Sequence, residues 1–439
     1  MVESARPRAS VCTLGCRVNQ YESEAIEAEL EALGFIVADF SEVCDVYIIN
    51  TCAVTGESER KSRQMIRRAA AKNPAAFVLV TGCFSQLKAE EAARIPGVDY
   101  VCGNRNKRSV AETAAYLVRE GVKRGVSCNV LDLDGAPLEK LTSPRARRDR
   151  SYVKIEDGCD NNCTYCIIKK ARGGVVSRPP EEVIAEVRTL TAAGCHEVIL
   201  TGIEAASYGK DIGGYPLWRL MREAAAVEGI ERVRTGSLEP SVLTKRFCDE
   251  IAAEPRIMPS FHLSLQSGSS AVLAAMKRRY NREQVLENTA YLRDIMPNVT
   301  FTCDIIVGFP GETYEEFCET LSLIREVEFT SLFTFIFSPR PGTRAAEMED
   351  PVTYKEKTQW FSELLKTQEE IAAKRCASMV GSTERVLIEE RNEKNGLLSG
   401  RTASSIIVEF PGEDEWIGEF KNVKVTEARN WILRGECVD

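Results

Sequence analysis

The chain has 439 residues, 44% hydrophobic and 28% charged, with sixteen cysteines and two histidines. That excludes a disordered tail or a collagen-like polymer and leaves room for two or three globular domains. Formal net charge is −8 with a pI ≈ 5.4, so no global basic field marks a nucleic-acid binder. No apolar run approaches the roughly 18 residues of a membrane span, and the opening MVESARPRAS lacks the apolar core of a secretory signal. A cytoplasmic protein without membrane contact is expected, and a disulfide framework is not. So many thiols point to metal or redox chemistry, and scarce histidine disfavours mixed imidazole–thiolate zinc sites, which moves iron-sulfur ligation up.

Residues 1–140 read as alternating strands and helices. Val11–Leu14, Val46–Asn50 and Phe77–Thr81 are strand candidates. Glu22–Leu33 places Ile26, Leu30 and Leu33 on one helical face before Gly34 stops it, and a basic helix runs from about Glu57 to Lys72 before Asn73-Pro74. That order predicts an open parallel α/β domain. Residues 141–150, with one proline, four arginines and no periodicity, read as a basic linker. Six strand candidates follow, Tyr152–Ile155, Val198–Thr201, Arg232–Arg234, Phe261–Leu265, Phe301–Val307 and Ser331–Phe337, with helical segments between them. They predict a partial (β/α)6 barrel which, with a trailing polar helix at about Tyr354–Ser378, fills residues 151–378. Residues 379–439 carry short strands with turns, Glu384–Glu389, Ser404–Phe410 and Phe420–Val425, and read as a small all-β module.

The sharpest signal is Cys159-x-x-x-Cys163-x-x-Cys166, just after the first barrel strand. Three thiolates on one loop can hold three irons of a four-iron cubane and leave the fourth open to a substrate or cofactor. A zinc site would need a fourth ligand, and no histidine or further cysteine lies nearby. A second set is dispersed: Cys16, Cys52 and Cys83 each follow the end of a candidate parallel strand by one to three residues. In an open α/β sheet those ends face one crevice, although spacing alone is equally compatible with chance placement. The other ten cysteines read mostly as small apolar core residues, among them Cys195, Cys248, Cys303, Cys318 and Cys376, with Cys12, Cys44, Cys102, Cys128 and Cys437 similar.

On these residues the chain resembles the radical S-adenosylmethionine (SAM) methylthiotransferases over nearly its full length. The Cys159 loop carries the radical SAM signature, and Ala171-Arg172-Gly173 through Ser177-Arg178 resembles its continuation. His262–Gly268, Asp304–Glu312 and Ser338–Thr343 match further motifs, and the C-terminal module resembles the TRAM domain, an OB-like RNA-binding fold. Thr13–Glu24 around Cys16-Arg17-Val18-Asn19, with Asn50–Thr55 and Arg60–Gln64, resembles the branch acting on N6-threonylcarbamoyladenosine at tRNA position 37. The sequence departs from its relatives at Lys169-Lys170, where proline is usual, at Thr235-Gly236-Ser237, and at Glu204, where histidine or asparagine is common. Residues 380–439 hold eight Lys and Arg against twelve Asp and Glu, so the TRAM-like module is acidic.

The resemblance implies two [4Fe-4S] clusters, one on Cys159, Cys163 and Cys166 with SAM at its open iron, the other on Cys16, Cys52 and Cys83. It implies SAM contacts from Thr201, Gly202, Ser237, Glu239, Ile306 and Gly308, where the plainer reading is turns at barrel ends. A 5'-deoxyadenosyl radical would abstract hydrogen from C2 of the adenine, a carbon not acidic enough for ordinary base catalysis. Sulfur would be inserted there and methylated by a second SAM. A tRNA anticodon stem-loop and a reductant such as flavodoxin or ferredoxin are the implied partners. Arg60, Lys61, Arg63, Arg67, Arg68, Arg145–Arg150 and Lys277-Arg278-Arg279 are candidates for phosphate contact or for ordinary solvated faces. Isopentenyladenosine, a ribosomal-protein aspartate, or an iron-sulfur RNA-binding regulator without catalysis are the rival readings.

Overall fold

The structure, a computed structural model, describes residues 6–121, 125–133, 135–141 and 150–439. Six strands, β1 (Arg8–Thr13), β2 (Ile36–Val37), β3 (Val46–Thr51), β4 (Phe77–Gly82), β5 (Tyr100–Cys102) and β6 (Ser127–Asn129), form a parallel sheet in the order β2-β1-β3-β4-β5-β6. Every residue of β3 and β4 is buried, which explains why both read as continuous apolar runs. Ile48 and Leu79 face Ile26, Leu30, Val110 and Ala114 on one side, and Tyr47, Ile49, Val78 and Val80 face Ile66 and Ala69 on the other. The chain leaves β1 for β2 on one flank and returns to β3 on the other. That reversal opens a crevice at the C-terminal ends of β1 and β3.

Most of the linker reading falls on residues 142–149, outside the described residues. Arg150 is corrected: it opens the first barrel strand and pairs with Glu389 at 2.9 Å. The barrel wall comprises β7 (Arg150–Lys154), a short antiparallel pair β8 (Glu156–Asp157) and β9 (Val176–Ser177), then β10 (Glu197–Thr201), β11 (Arg232–Thr235), β12 (Ser237–Leu238), β13 (Ser260–Gln266), β14 (Thr300–Val307) and β15 (Ser331–Ile336). The six expected units are present, but the wall is two sheets, β11-β10-β7 and β12-β13-β14-β15, parted at Gly236. Alternation sorts the side chains. Val153, Val198, Leu200, Val233, Leu263, Cys303 and Ile305 point outward into the helix-facing core. Their neighbours Tyr152, Ile199, Arg234, His262, Thr302 and Asp304 therefore line the lumen. The helix Tyr354–Ala377 lies beside β15, with Trp360 stacked on Phe317 at 5.4 Å.

Five strands, β16 (Thr383–Arg391), β17 (Leu398–Arg401), β18 (Ile407–Phe410), β19 (Phe420–Arg429) and β20 (Ile432–Cys437), close a small barrel around Val386, Ile388, Val408, Phe410, Val423 and Leu433. It is docked under the N-terminal ends of the large barrel's strands. Arg232 donates to the carbonyls of Arg401 (3.0 Å) and Arg385 (2.6 Å), and Arg234 to those of Ala403 and Thr402 (both 2.9 Å). Of the cysteines expected in cores, Cys44, Cys102, Cys195, Cys248, Cys303 and Cys376 are buried. Cys318 and Cys128 are corrected to exposed positions, Cys318 on the outer face of the helix Tyr314–Val327. No described helix is long and apolar enough to cross a membrane.

Candidate active site

The loops after β1, β3 and β4 are laced together by contacts that need glycine. Gly15 has φ +102°, and a Cβ there would lie 2.9 Å from the Cβ and Sγ of Cys52, so Cys16 and Cys52 share one corner. Gly82 has φ +100°, and its Cβ would fall 2.4 Å from the Thr51 carbonyl, which brings Cys83 beside the Cys52 loop. Asn19 donates to the carbonyls of Leu14 (2.7 Å) and Thr51 (3.0 Å), and Ser62 grips both the amide and the carbonyl of Cys52. Burial, and then the neighbouring Cys83, push the Cys52 thiol up to about 11. Burial likewise raises Cys16, whose side chain is nonetheless open to solvent.

The Cys159–Cys166 loop leaves the β8–β9 pair at Gly158, whose φ is +85° and whose Cβ would lie 1.9 Å from the Gly174 carbonyl. Thr164 ties the loop to the helix Ser270–Ala275 through the carbonyls of Met276 (3.1 Å) and Ala275 (3.0 Å). Arg278 donates to Cys163 Sγ at 3.1 Å. Burial pushes Cys159 up to about 12 and Cys166 up to about 11. Among the described residues no set of three or more His, Cys, Asp or Glu closes around a single ion. A four-iron cubane holds its thiolates on separate corners and asks for a wider cradle. The donor chemistry fits such a group: each set offers three thiols, and bound iron favours their thiolate form. The surroundings fit too, since Arg172 (3.4 Å) and Asn104 (3.6 Å) donate to Cys83 Sγ and Arg105 Nε is buried without a partner.

Between the two sets lies a knot of buried charge. The Arg172 guanidinium reaches Glu22 at 2.6 Å, Asp157 at 3.2 Å and Asn19 at 2.6 Å. Lys107 and Lys154 also pair with Glu22, at 2.6 and 2.7 Å, and Lys154 with Asp157 at 2.8 Å. Against the burial that opposes it, Arg172, then Lys107 and Lys154, hold Glu22 well below the usual carboxylate range. With Arg105 at 3.9 Å from Asp157, four cations meet two carboxylates, an excess suited to anionic clusters. The knot ties the N-terminal sheet to the barrel, and no sequence pattern announced it.

Thr201 is buried at the end of β10. A Cβ on Gly202 would fall 1.9 Å from Glu156 Oε1, the oxygen that accepts the Glu204 amide. Ser237 and Glu239 open onto the same side, with Glu239 3.5 Å from Arg278. Ile306 faces the lumen, whereas Gly308 turns toward the stem of Lys357. Burial, then Glu239, push Glu204 up to about 7. On the far wall His262 lies 3.2 Å from Asp304 and 2.9 Å from Thr302, edge-on to Phe333. Phe333 and Phe335 are exposed on the lumen side of the last strand. Of the basic runs, Arg67, Arg68, Lys277 and Arg279 are exposed, Arg60 and Lys61 pair with Glu57, and Arg63 pairs with Glu59 and Glu91. Arg278 is corrected: it is engaged with Cys163, not free for phosphate.

A half-open barrel with three cysteines on the loop after its first strand defines a radical SAM enzyme, and the family model described as Radical SAM superfamily matches residues 153–324. Models described as Uncharacterized protein family UPF0004 and TRAM domain match residues 8–103 and 377–438. A protein of Bacillus subtilis (strain 168) named "Threonylcarbamoyladenosine tRNA methylthiotransferase MtaB" is 37% identical over 97% of this chain and 95% of its own length. One from Clostridium botulinum (strain Langeland), named "tRNA-2-methylthio-N(6)-dimethylallyladenosine synthase", is also 37% identical, over 97% and 95%. The chain belongs to the radical SAM methylthiotransferases and is a tRNA-modifying transferase. Membership implies SAM and a [4Fe-4S] cluster as cofactors. The solved radical SAM methyltransferase TsrM from Kitasatospora setae, 16% identical, covers 78% of this chain and 74% of that one with a TM-score of 0.56, a likeness of fold alone.

Proposed function

We propose that the chain inserts a methylthio group at C2 of N6-threonylcarbamoyladenosine at position 37 of tRNA, working in the cytoplasm and drawing electrons from a flavodoxin or ferredoxin. The observation that carries this reading is the bridge between the two cysteine loops: Arg172, six residues beyond Cys166, touches Cys83. Cys159, Cys163 and Cys166 would hold one [4Fe-4S] cluster, and Cys16, Cys52 and Cys83 a second. When bound, the first supplies the electron that cleaves SAM to a carbon radical.

The chain's own residues do the rest. Thr201, Gly202, Ser237, Glu239, Ile306 and Gly308 would hold the cofactor at the strand ends, and Arg278 anchors Cys163 of the cysteine loop. The adenine must leave its stacked loop to reach the lumen, where Phe333 and Phe335 offer stacking surfaces. The N-terminal domain (1–140) roofs residues 151–378, and the module at 379–439 forms the floor; both exclude water from a radical.

The relatives' names divide between two nucleosides, and the cationic lumen around Arg17, Arg150 and Arg234 favours the one whose substituent is an anion. The test is nucleoside mass spectrometry of tRNA from a host lacking methylthiolation of both nucleosides, carrying this chain or its Cys52→Ala or Cys163→Ala variant. The 2-methylthio mark is expected on threonylcarbamoyladenosine with the intact chain only. A mark on isopentenyladenosine would replace this nucleoside, and unchanged tRNA beside an altered ribosomal protein would overturn the reading.

A further inference from the structure

We propose that Arg17 is the carboxylate-binding residue of the nucleoside pocket: its guanidinium takes the free carboxylate of the amino acid carried on N6 of the adenine, and so selects charged over apolar N6 substituents. This rests on the threonylcarbamoyladenosine reading and extends it to one side chain.

Cys16 caps the helix Arg17–Ala32 in an extended conformation, and Arg17, its first helical residue, leaves the cysteine triad toward the barrel. Its guanidinium carbon lies 6.0 Å from the ring centre of Tyr152, a residue that alternates with the core residue Val153 and so faces the lumen. Arg150, Arg401 and Arg234 act on it as neighbouring cations. Those three are already engaged. Arg150 pairs with Glu389 (2.9 Å) and Glu197 (3.8 Å), Arg234 with Glu197 (3.0 Å), and Arg401 with Glu389 (3.3 Å). Glu197 and Glu389, the carboxylates beside these arginines, are thereby taken. Among the described residues Arg17 makes no hydrogen bond or ion pair.

A guanidinium cannot shed its proton at any physiological pH. Exposed to solvent and set beside three other cations, it has no carboxylate of its own and leaves its fork open to an incoming anion. A threonylcarbamoyl group brings a carboxylate, whose two oxygens match the planar fork of arginine. An isopentenyl group brings none and leaves the cation unpaired, so the residue that attracts one nucleoside also rejects the other. A ribose-phosphate contact fits less well, because a base swung into the lumen leaves its phosphates at the rim.

The test uses the full chain, anaerobically loaded with iron and sulfide, and anticodon stem-loop RNAs carrying threonylcarbamoyladenosine, isopentenyladenosine or plain adenosine at position 37. The wild-type chain is expected to bind the first at least about tenfold more tightly than the last. Arg17→Gln should abolish that preference while leaving the affinity for plain RNA, the affinity for SAM and the iron content unchanged; Arg17→Lys should restore part of it. An equal loss for all RNAs would assign Arg17 to phosphate, a loss of SAM affinity to the cofactor, and a loss of iron to support of Cys16; each overturns the proposal. If the wild-type chain prefers isopentenyladenosine, the nucleoside reading falls and this inference with it. If it prefers threonylcarbamoyladenosine and Arg17→Gln keeps that preference, only the inference falls.

Discussion

Removing an anion from the buried knot should cost more than removing a cation, and Glu22→Gln against Arg172→Met is the decisive pair. Glu22 is the shared partner of Arg172, Lys107 and Lys154 at 2.6 to 2.7 Å, all with side chains no more than 5% exposed. At an effective dielectric of about 20, two unit charges 4 Å apart interact by about 4 kcal/mol, and breaking one buried pair typically costs about 3–5 kcal/mol. Glu22→Gln leaves four cations against Asp157 alone, so its cost belongs at or above the upper end, about 5 kcal/mol. Arg172→Met loses more hydrogen bonds but brings the cations to three against two carboxylates, which holds its cost near the lower end, about 3 kcal/mol. The assay is urea unfolding of the anaerobically loaded protein, with hydrogen exchange across the helix Arg17–Ala32 reporting the joint between sheet and barrel. Equal costs, or a larger cost for Arg172→Met, would refute the claim that surplus positive charge governs this interface.

Gly158→Ala should prevent the Cys159 loop from closing, because its Cβ would meet the Gly174 carbonyl at 1.9 Å; iron per chain is expected to fall by about half, as for one lost cubane of two. An unchanged iron count would remove the loop from cluster binding. Phe333→Ala should weaken binding of the modified stem-loop by about 1–3 kcal/mol if the exposed ring stacks on the base, with iron unaltered; filter binding decides. Glu312 accepts the amides of Gly308 and Phe309, yet burial pushes its carboxyl up to about 7. The unfolded chain titrates near ~4.3, so between about pH 4.5 and 7 the folded state keeps a proton the unfolded state has lost. Stability therefore falls as pH rises through that window, by at most about 4 kcal/mol. Glu312→Gln should flatten the difference, seen as a melting temperature that declines less than the wild type's from pH 5 to 8; parallel curves would contradict it.

How much was legible in the sequence depends on how local the signal is. The Cys159 motif, the buried strands β3 and β4 and the six barrel units declare themselves within a few residues. The dispersed triad is half legible, since each cysteine follows a strand end, but only Gly15 and Gly82 bring those ends together. The knot could not be read at all: Glu22, Lys107, Lys154 and Arg172 span 150 residues, and a charge in sequence carries no mark of its burial. The same blindness put Arg278 in a phosphate-binding run and Cys318 in the core. β2, β5 and β6, two or three residues long, are set by the sheet they join and not by their own periodicity.

The arginines that bolt the C-terminal barrel beneath the large one bear on why that module tolerates an acid surplus. Arg232 and Arg234 grip backbone carbonyls, which any sequence supplies, so this part of the attachment is indifferent to the module's side-chain charge, while Arg150 turns one of the module's acids, Glu389, into a further contact. It acts as a stopper before it acts as a hand. A chain that lacks it drains the lumen to bulk water, and the loss would appear as cofactor spent without product, even where RNA still binds.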